Sequence, residues 1–424
     1  MLKLEATQKP NSPAFLWVGI FYAVLSLGSM ATMSIGAAGV FLVILLNAPS
    51  FYHSLRQEGD LQFLRVAGLL WISILLSLVV ARVWPLGFGG QFIQVQWWSD
   101  LSKVWYFLWP MVLGVLFLQL TEDQFERVLR VWLGAAGVVS AIGIAQYWTG
   151  WPHAQLIPYS PGHYHATMFF GHHLSTASIL IFPFFSALGF LKQSFGPSSK
   201  YFKGAKERIF LFAIFILTGG ALFFSYSKTV WASLPMGLAL FFFTQFPKKW
   251  RFPSLVGVIL VSLLATQLPM VRHRLQDGVG LSDRVVLWKA NWEFFKLRPL
   301  TGVGFRHTSD ASSYYLQFMT GQKEGLFIGH AHNMILEMLG GVGLLGTLAW
   351  LAWVLWVFKL YLRLGRLSGF SSWGWGLVAA WFVFQLNGLT QVNFWEGKVM
   401  HQMMFALALA WSVLRREQKT LEIH

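Results

Sequence analysis

In GHAHNMILEMLGG, residues 329–341, two imidazoles and an amide stand directly before a run that has the composition of buried or lipid-facing helix. Histidine is the side chain whose ordinary pKa lets it exchange a proton near neutrality, so His332 and His330 are candidates for acid–base work. Asn333 suits the N-cap of the following helix, which would turn its positive dipole end toward His332. That field disfavours imidazolium and leaves a neutral ring able to accept a proton, while the free N–H groups of the helix end can hold phosphate oxygens. Glu337, one turn further on, could orient an imidazole or a sugar hydroxyl, or pair with a cation such as Lys398. Two other readings remain open. The pair could be an interfacial cap bridging carbonyls to water, or His-x-His could chelate zinc with a third ligand such as His401, in a spacing that fits no common zinc signature.

Cations supply the second half of the chemistry. Arg82, Lys103, Lys228 and Lys398 sit at the ends of apolar runs, and Arg284 and Arg306 lie in the longest hydrophilic connection. Taken singly, each could simply snorkel to headgroup phosphates. Taken together, they could converge on a strongly anionic ligand, for which a diphosphate is the natural candidate. Residues 147–173 add His153, His163, His165, His172 and His173 among aromatics and prolines, a composition suited to stacking sugars or to an interfacial aromatic belt.

The elements that must position these groups are helices in a bilayer. The chain has 424 residues, 55% hydrophobic and 12% charged, whereas soluble domains carry roughly 25% charged residues. Apolar runs long enough to cross a hydrocarbon core as helix recur along nearly the whole chain. Twelve are expected, at 14–29, 31–48, 66–84, 104–120, 127–146, 171–190, 209–225, 229–246, 253–269, 334–358, 373–391 and 399–414. The fold class is therefore an all-α polytopic membrane protein, a single transmembrane domain over 1–424. The polar start MLKLEATQKPNSP lacks the pattern of a cleaved signal peptide, and with no cysteine there is neither a disulfide framework nor thiol chemistry.

The net charge of +15 is explained by topology rather than by nucleic acid. With both termini in the cytoplasm, 20 of the 32 basic and nine of the 17 acidic residues, Lys3 and Lys9 included, fall inside, giving +11 there against +4 outside. The connection 270–333 then lies outside, between the ninth and tenth spans, and its length marks it as functional or disordered. Its sequence argues for order. Ser282 is a candidate N-cap, Val285, Trp288, Trp292 and Phe295 share a helical face, Pro299 ends the run, and Gly302 and Gly304 turn the chain. Gly340, Gly341, Gly343 and Gly346 suggest close helix approach. No outside D-x-D pair is present, because Asp100, Asp277, Asp283 and Asp310 are scattered, so metal-independent chemistry is expected. A transporter is the rival class, but its ionisable residues would sit at mid-membrane in repeated halves, and here they gather at one rim.

Four features in order resemble the O-antigen ligases, a family related to O-antigen polymerases and bacterial protein O-oligosaccharyltransferases. They are SYSK (Ser225, Ser227, Lys228), Arg284 four before Trp288, P-x-x-G-x-G (Pro299, Gly302, Gly304), and His332 with Leu336, Gly341 and Gly343. The likeness is most specific from about 222 to 346. Where the family commonly carries arginine after Ser-x-Ser, this chain has Lys228, which keeps the charge but not the bidentate fork. The resemblance implies transfer of a preassembled glycan from undecaprenyl diphosphate to a sugar hydroxyl of lipid A–core, without a cofactor, on the periplasmic face of a bacterial inner membrane. It implies that His332 and Arg284 are catalytic, His332 taking the acceptor's proton. Substrate contacts would come from Lys228, Arg82, Lys103, Arg306, His330, Asn333, Glu337 and Lys398. A polymerase would differ only in its acceptor, a second lipid-linked glycan, and an oligosaccharyltransferase would deliver to protein.

Overall fold

The computed structural model describes residues 13–95, 100–101, 103–152, 154–157, 162–197, 199–276, 281–321 and 328–423; Lys3, Lys9, His153 and Asp277 lie outside them, as do the side chains of Ser282 and Asp283. The chain is almost entirely helical: α1 (Pro13–Leu25), α2 (Met30–Leu46), α3 (Ala48–Glu58), α4 (Leu61–Val83), a hairpin of β1 (Gly87–Phe88) and β2 (Gln91–Phe92), a 3-10 turn (Val104–Leu108) running into α5 (Trp109–Leu118), α6 (Glu122–Thr149), α7 (His173–Gln193), α8 (Ala205–Phe224), α9 (Lys228–Gln245), α10 (Lys248–Thr266), α11 (Pro269–Gln276), α12 (Leu281–Leu297), α13 (Thr308–Thr320), α14 (Met334–Leu364), α15 (Ser371–Gly388) and α16 (Gly397–Ile423).

Each of the twelve apolar runs coincides with helix. Among the described residues, six helices are long and apolar enough to cross a membrane, or seven if α2 and α3, bent by 97° at Asn47, count as one broken span. The protein is thus a multi-pass membrane protein, with fewer qualifying spans than the runs suggest. The remaining helices fall short in length, as α1 and α5 do, or in mean hydropathy.

At the centre stands α7, buried almost throughout and packed on α8, α15 and α16; α14 packs on α4 and α15, and α6 on α1 and α8. At the periphery α10 buries none of its residues and leans on α9. The two ends of the bundle differ in charge chemistry. At one, cations are matched: Arg130 pairs with Glu126 and Glu207, Lys200 with Glu122 and Glu417, and Arg416 with Glu122. Another part of the bundle gathers His172, His330 and His332 around one cavity.

The connection before α14 is ordered over its described residues. α12, α13 and the β-hairpin share a small core of Ile93, Ala290, Phe294, Val303 and Ala311. The packed face of α12 differs from the expected one. Leu287, Ala290, Asn291 and Phe294 are buried, whereas Trp292 is exposed and Val285, Trp288 and Phe295 are half-buried. The reason is that α12 docks on α14 through its small residues, with Asn291 against Gly340, rather than lying aromatic-side down. Since α12 starts at Leu281, Ser282 falls in its first turn and not at its cap.

Of the helix-end glycines, Gly340 meets a neighbouring helix as expected, through Asn291, whereas Gly343 receives a loop. α14 breaks at Gly343, whose φ of 64° and ψ of −166° are open to glycine alone. The 299–304 loop, turned by positive φ at Gly302 (65°) and Gly304 (116°), lies along the break. It supplies the missing hydrogen bonds: Leu344 N–H donates to Pro299 O at 2.8 Å, Val303 N–H to Gly340 O at 2.8 Å and Gly304 N–H to Gly341 O at 2.9 Å. A backbone break in a spanning helix persists only where protein satisfies it in this way. Any Cβ on Gly302 would sit 2.4 Å from Gly341 C, which is why the turn needs glycine there.

Candidate functional site

The H-A-H-N turn is held from three sides. Asn333 caps α14, its side-chain oxygen accepting from Leu336 N–H at 3.1 Å, and its amide donates to Leu389 O at 3.1 Å. Trp288 Nε1 donates to Ala331 O at 2.8 Å, so the Arg284/Trp288 pair on α12 carries one anchor of the turn. Glu337, fully buried, accepts from Ala331 N–H at 2.8 Å and from the Thr308 hydroxyl. It therefore fixes the backbone between the two imidazoles, and Lys398 is not its partner: that ammonium donates to Phe170 O. Under these restraints His332 adopts φ 46°, a left-handed conformation uncommon outside glycine, and stands 4.3 Å, centroid to centroid, from His330.

Both rings line a cavity of about 540 Å³ at the end of the bundle, with Lys103, His172, Ser175, Arg306, Glu337, Gln391, Glu396 and Lys398 among its walls. Of the ten residues singled out from sequence, it gathers His332, His330, Glu337, Lys103, Arg306 and Lys398. Asn333 supports the turn. Arg284 stands beside the cavity, and its charge reaches both His330 and His332. Lys228, which follows the Ser227 N-cap of α9, instead lines a second cavity of about 670 Å³ between α9 and α10, whose other walls are overwhelmingly apolar. Arg82, exposed in the last turn of α4, lines neither.

Electrostatics sharpen the picture. Burial, then the neighbouring His330, then Arg284 and His172 hold the His332 ring down to about 4, so it is neutral near pH 7. The neutral state expected from a helix dipole thus rests mainly on burial and adjacent positive groups. The Arg284 guanidinium forms no hydrogen bond or ion pair among the described residues, and burial together with Arg274 opposes its charge. Glu396 receives a hydrogen bond from the Ser175 hydroxyl, and burial raises its carboxyl despite that bond and nearby Lys398.

Several partners escaped sequence reasoning. Arg274 on α11 joins Arg284 in acting on His173, but within MVRHRLQ nothing distinguishes it from a solvated surface cation. His165, His173 and His172 stack in series at 4.5 and 4.7 Å, with His165 Nδ1 3.1 Å from Ser225 O. Three of the histidines between 147 and 173 therefore form a wall joining the Ser-x-Ser turn to the cavity. His307, buried, bridges two carboxylates: Nε2 lies 2.8 Å from Asp100 Oδ2 and Nδ1 3.0 Å from Asp310 Oδ2. The third ligand a zinc site would need, His401, is committed to Tyr22 Oη at 2.6 Å and Tyr106 Oη at 3.3 Å, deep in the bundle.

The protein is a polytopic helical membrane protein in which histidines, carboxylates and cations line one cavity at an end of the bundle. Residues 213–351 match the family model described as O-Antigen ligase. The match runs from α8 into α14, the stretch in which the four motifs lie, so the resemblance drawn from them holds over that third of the chain. No curated protein matches the chain.

Proposed function

We propose that the protein is an O-antigen ligase that moves a preassembled glycan from undecaprenyl diphosphate to a sugar hydroxyl of lipid A–core at the periplasmic face of the inner membrane. The observation that carries this reading is the meeting of His332, His330 and the charge of Arg284 at one cavity. His332 takes the acceptor's proton as the hydroxyl oxygen attacks the anomeric carbon, a contribution of about 10²–10⁴-fold. The glycosidic C–O bond to phosphate breaks, and its electron pair leaves on the diphosphate. Single displacement inverts the anomeric configuration. Arg284 and Arg274, a mutually repelling pair beside the base, stabilise the charge that develops on the departing phosphate. Lys228 supplies a charge at the apolar cavity between α9 and α10, which suits a polyprenyl chain entering from the bilayer. No step calls on a metal.

The test is His332→Ala in cells lacking their own ligase, with membrane abundance confirmed. Long-chain lipopolysaccharide disappears if His332 is the base; retained laddering removes that assignment. Cells lacking the protein altogether separate the related activities: core left uncapped marks a ligase, and core bearing one repeat marks a polymerase.

A further inference from the structure

Apart from Lys398, which donates to Phe170 O, the cations at and beside the cavity fall into two neighbourhoods. Arg274 and Arg284 act on each other and on the imidazoles: both reach His173, Arg274 reaches His165, and Arg284 reaches His330 and His332. Lys103 and Arg306 act on each other across the cavity's other wall. The Lys103 ammonium forms no hydrogen bond or ion pair among the described residues, and both burial and Arg306 oppose its charge. Arg306 has one remote ion partner, Asp100 Oδ1 at 3.7 Å, and the other oxygen of that carboxylate is engaged by His307 at 2.8 Å.

The placement of this pair is enforced. Arg306 is held at φ 67°, in left-handed backbone that an arginine does not adopt freely. Gly304 turns the chain before it at φ 116°, and His307, clamped between Asp100 and Asp310, pins the residue after it. Two like charges brought into one half-buried wall, offset only by the remote and shared Asp100 carboxylate, are an electrostatic cost that a bound anion reverses. One diphosphate already has the Arg274/Arg284 strip.

We infer that Lys103 and Arg306 form a second anion subsite, which receives a phosphate or carboxylate carried by the acceptor saccharide and so turns its hydroxyl toward His332. The assignment rests on the glycosyl-transfer reading for the word acceptor. Its substance is that this wall selects acidic over neutral saccharides.

Binding separates the sources of the anion. Purified full-length protein in detergent is titrated with core oligosaccharide, with the same oligosaccharide after dephosphorylation and carboxyl reduction, and with undecaprenyl diphosphate. Lys103→Gln weakens the acidic oligosaccharide by about 10–100-fold, the usual worth of one charge-assisted contact, and leaves the neutralised one unchanged. Lys103→Arg restores most of the loss. Undecaprenyl diphosphate is unaffected by Lys103→Gln and weakened by Arg284→Gln. If Lys103→Gln weakens undecaprenyl diphosphate instead, or weakens both oligosaccharides equally, the subsite is refuted. Binding that follows these rules in a protein that transfers no glycan would sink the transferase reading and leave the subsite standing.

Discussion

Raising the pH should loosen the connection between α11 and α14 through a single residue. Burial opposes the charge on His307, but hydrogen bonds to Asp100 and Asp310, with their negative charges, win and raise the ring to about 9 from its ordinary 6.5. A group whose pKa is raised on folding contributes its full stabilisation below the unfolded value. As pH climbs from 6.5 the unfolded chain releases the proton while the folded one keeps it, so the contribution shrinks and is gone above about 9. At about 1.4 kcal/mol per unit the whole effect is about 3 kcal/mol, a change of some 300-fold in the equilibrium for opening. Because His307 is the N-cap residue of α13, the loss should appear first in amides 308–320. Hydrogen exchange of that segment, corrected for intrinsic base catalysis, should lose protection between pH 6.5 and 9 in the wild-type protein and show no such step in His307→Gln. Protection that is flat across the window, or an equal step in the variant, would refute the bridging role.

Three other expectations follow from the site. In the free enzyme the acid limb of kcat/KM should lie near pH 4, where burial, His330, Arg284 and His172 put His332, and Arg284→Gln should move that limb upward. Gly302→Ala meets Gly341 C at 2.4 Å under a positive φ, so its yield of monodisperse protein on size exclusion should collapse, whereas Gly321→Ala, with nothing among the described residues within 4 Å, should cost far less. Trp288→Phe removes the donor to Ala331 O and should lower kcat more than it raises the donor's KM, since it frees the turn that aims His332. Equal effects on the two parameters would reassign Trp288 to donor binding.

Much of this was legible in residue order. Helix positions follow from apolar run length, the Asn333 cap from its side chain before a periodic run, and the turns at Gly302 and Gly304 from the conformations glycine alone takes easily. What stayed hidden depends on contacts between distant positions. Asp100 and His307 are 207 residues apart, and neither has a local signature. The buried face of α12 is set by the glycines of α14 rather than by the aromatic periodicity of α12 itself. Six cations share one rim, yet only the packing shows that Lys228 faces an apolar cleft and Arg82 lines neither cavity.

The seam between residues 299–304 and the broken end of α14 bears on how this protein can be altered. Main-chain donors and acceptors are exchanged there, so side-chain changes at exposed Leu300 and half-buried Thr301 are tolerable in principle, whereas a shift in length is not. One inserted residue would slide the loop out of step with Gly340, Gly341 and Leu344 and leave several peptide groups stranded in an apolar setting. Epitope tags, chimeric junctions and natural length variation should therefore avoid this short seam, and libraries meant to retune the substrate should vary identity here and never count.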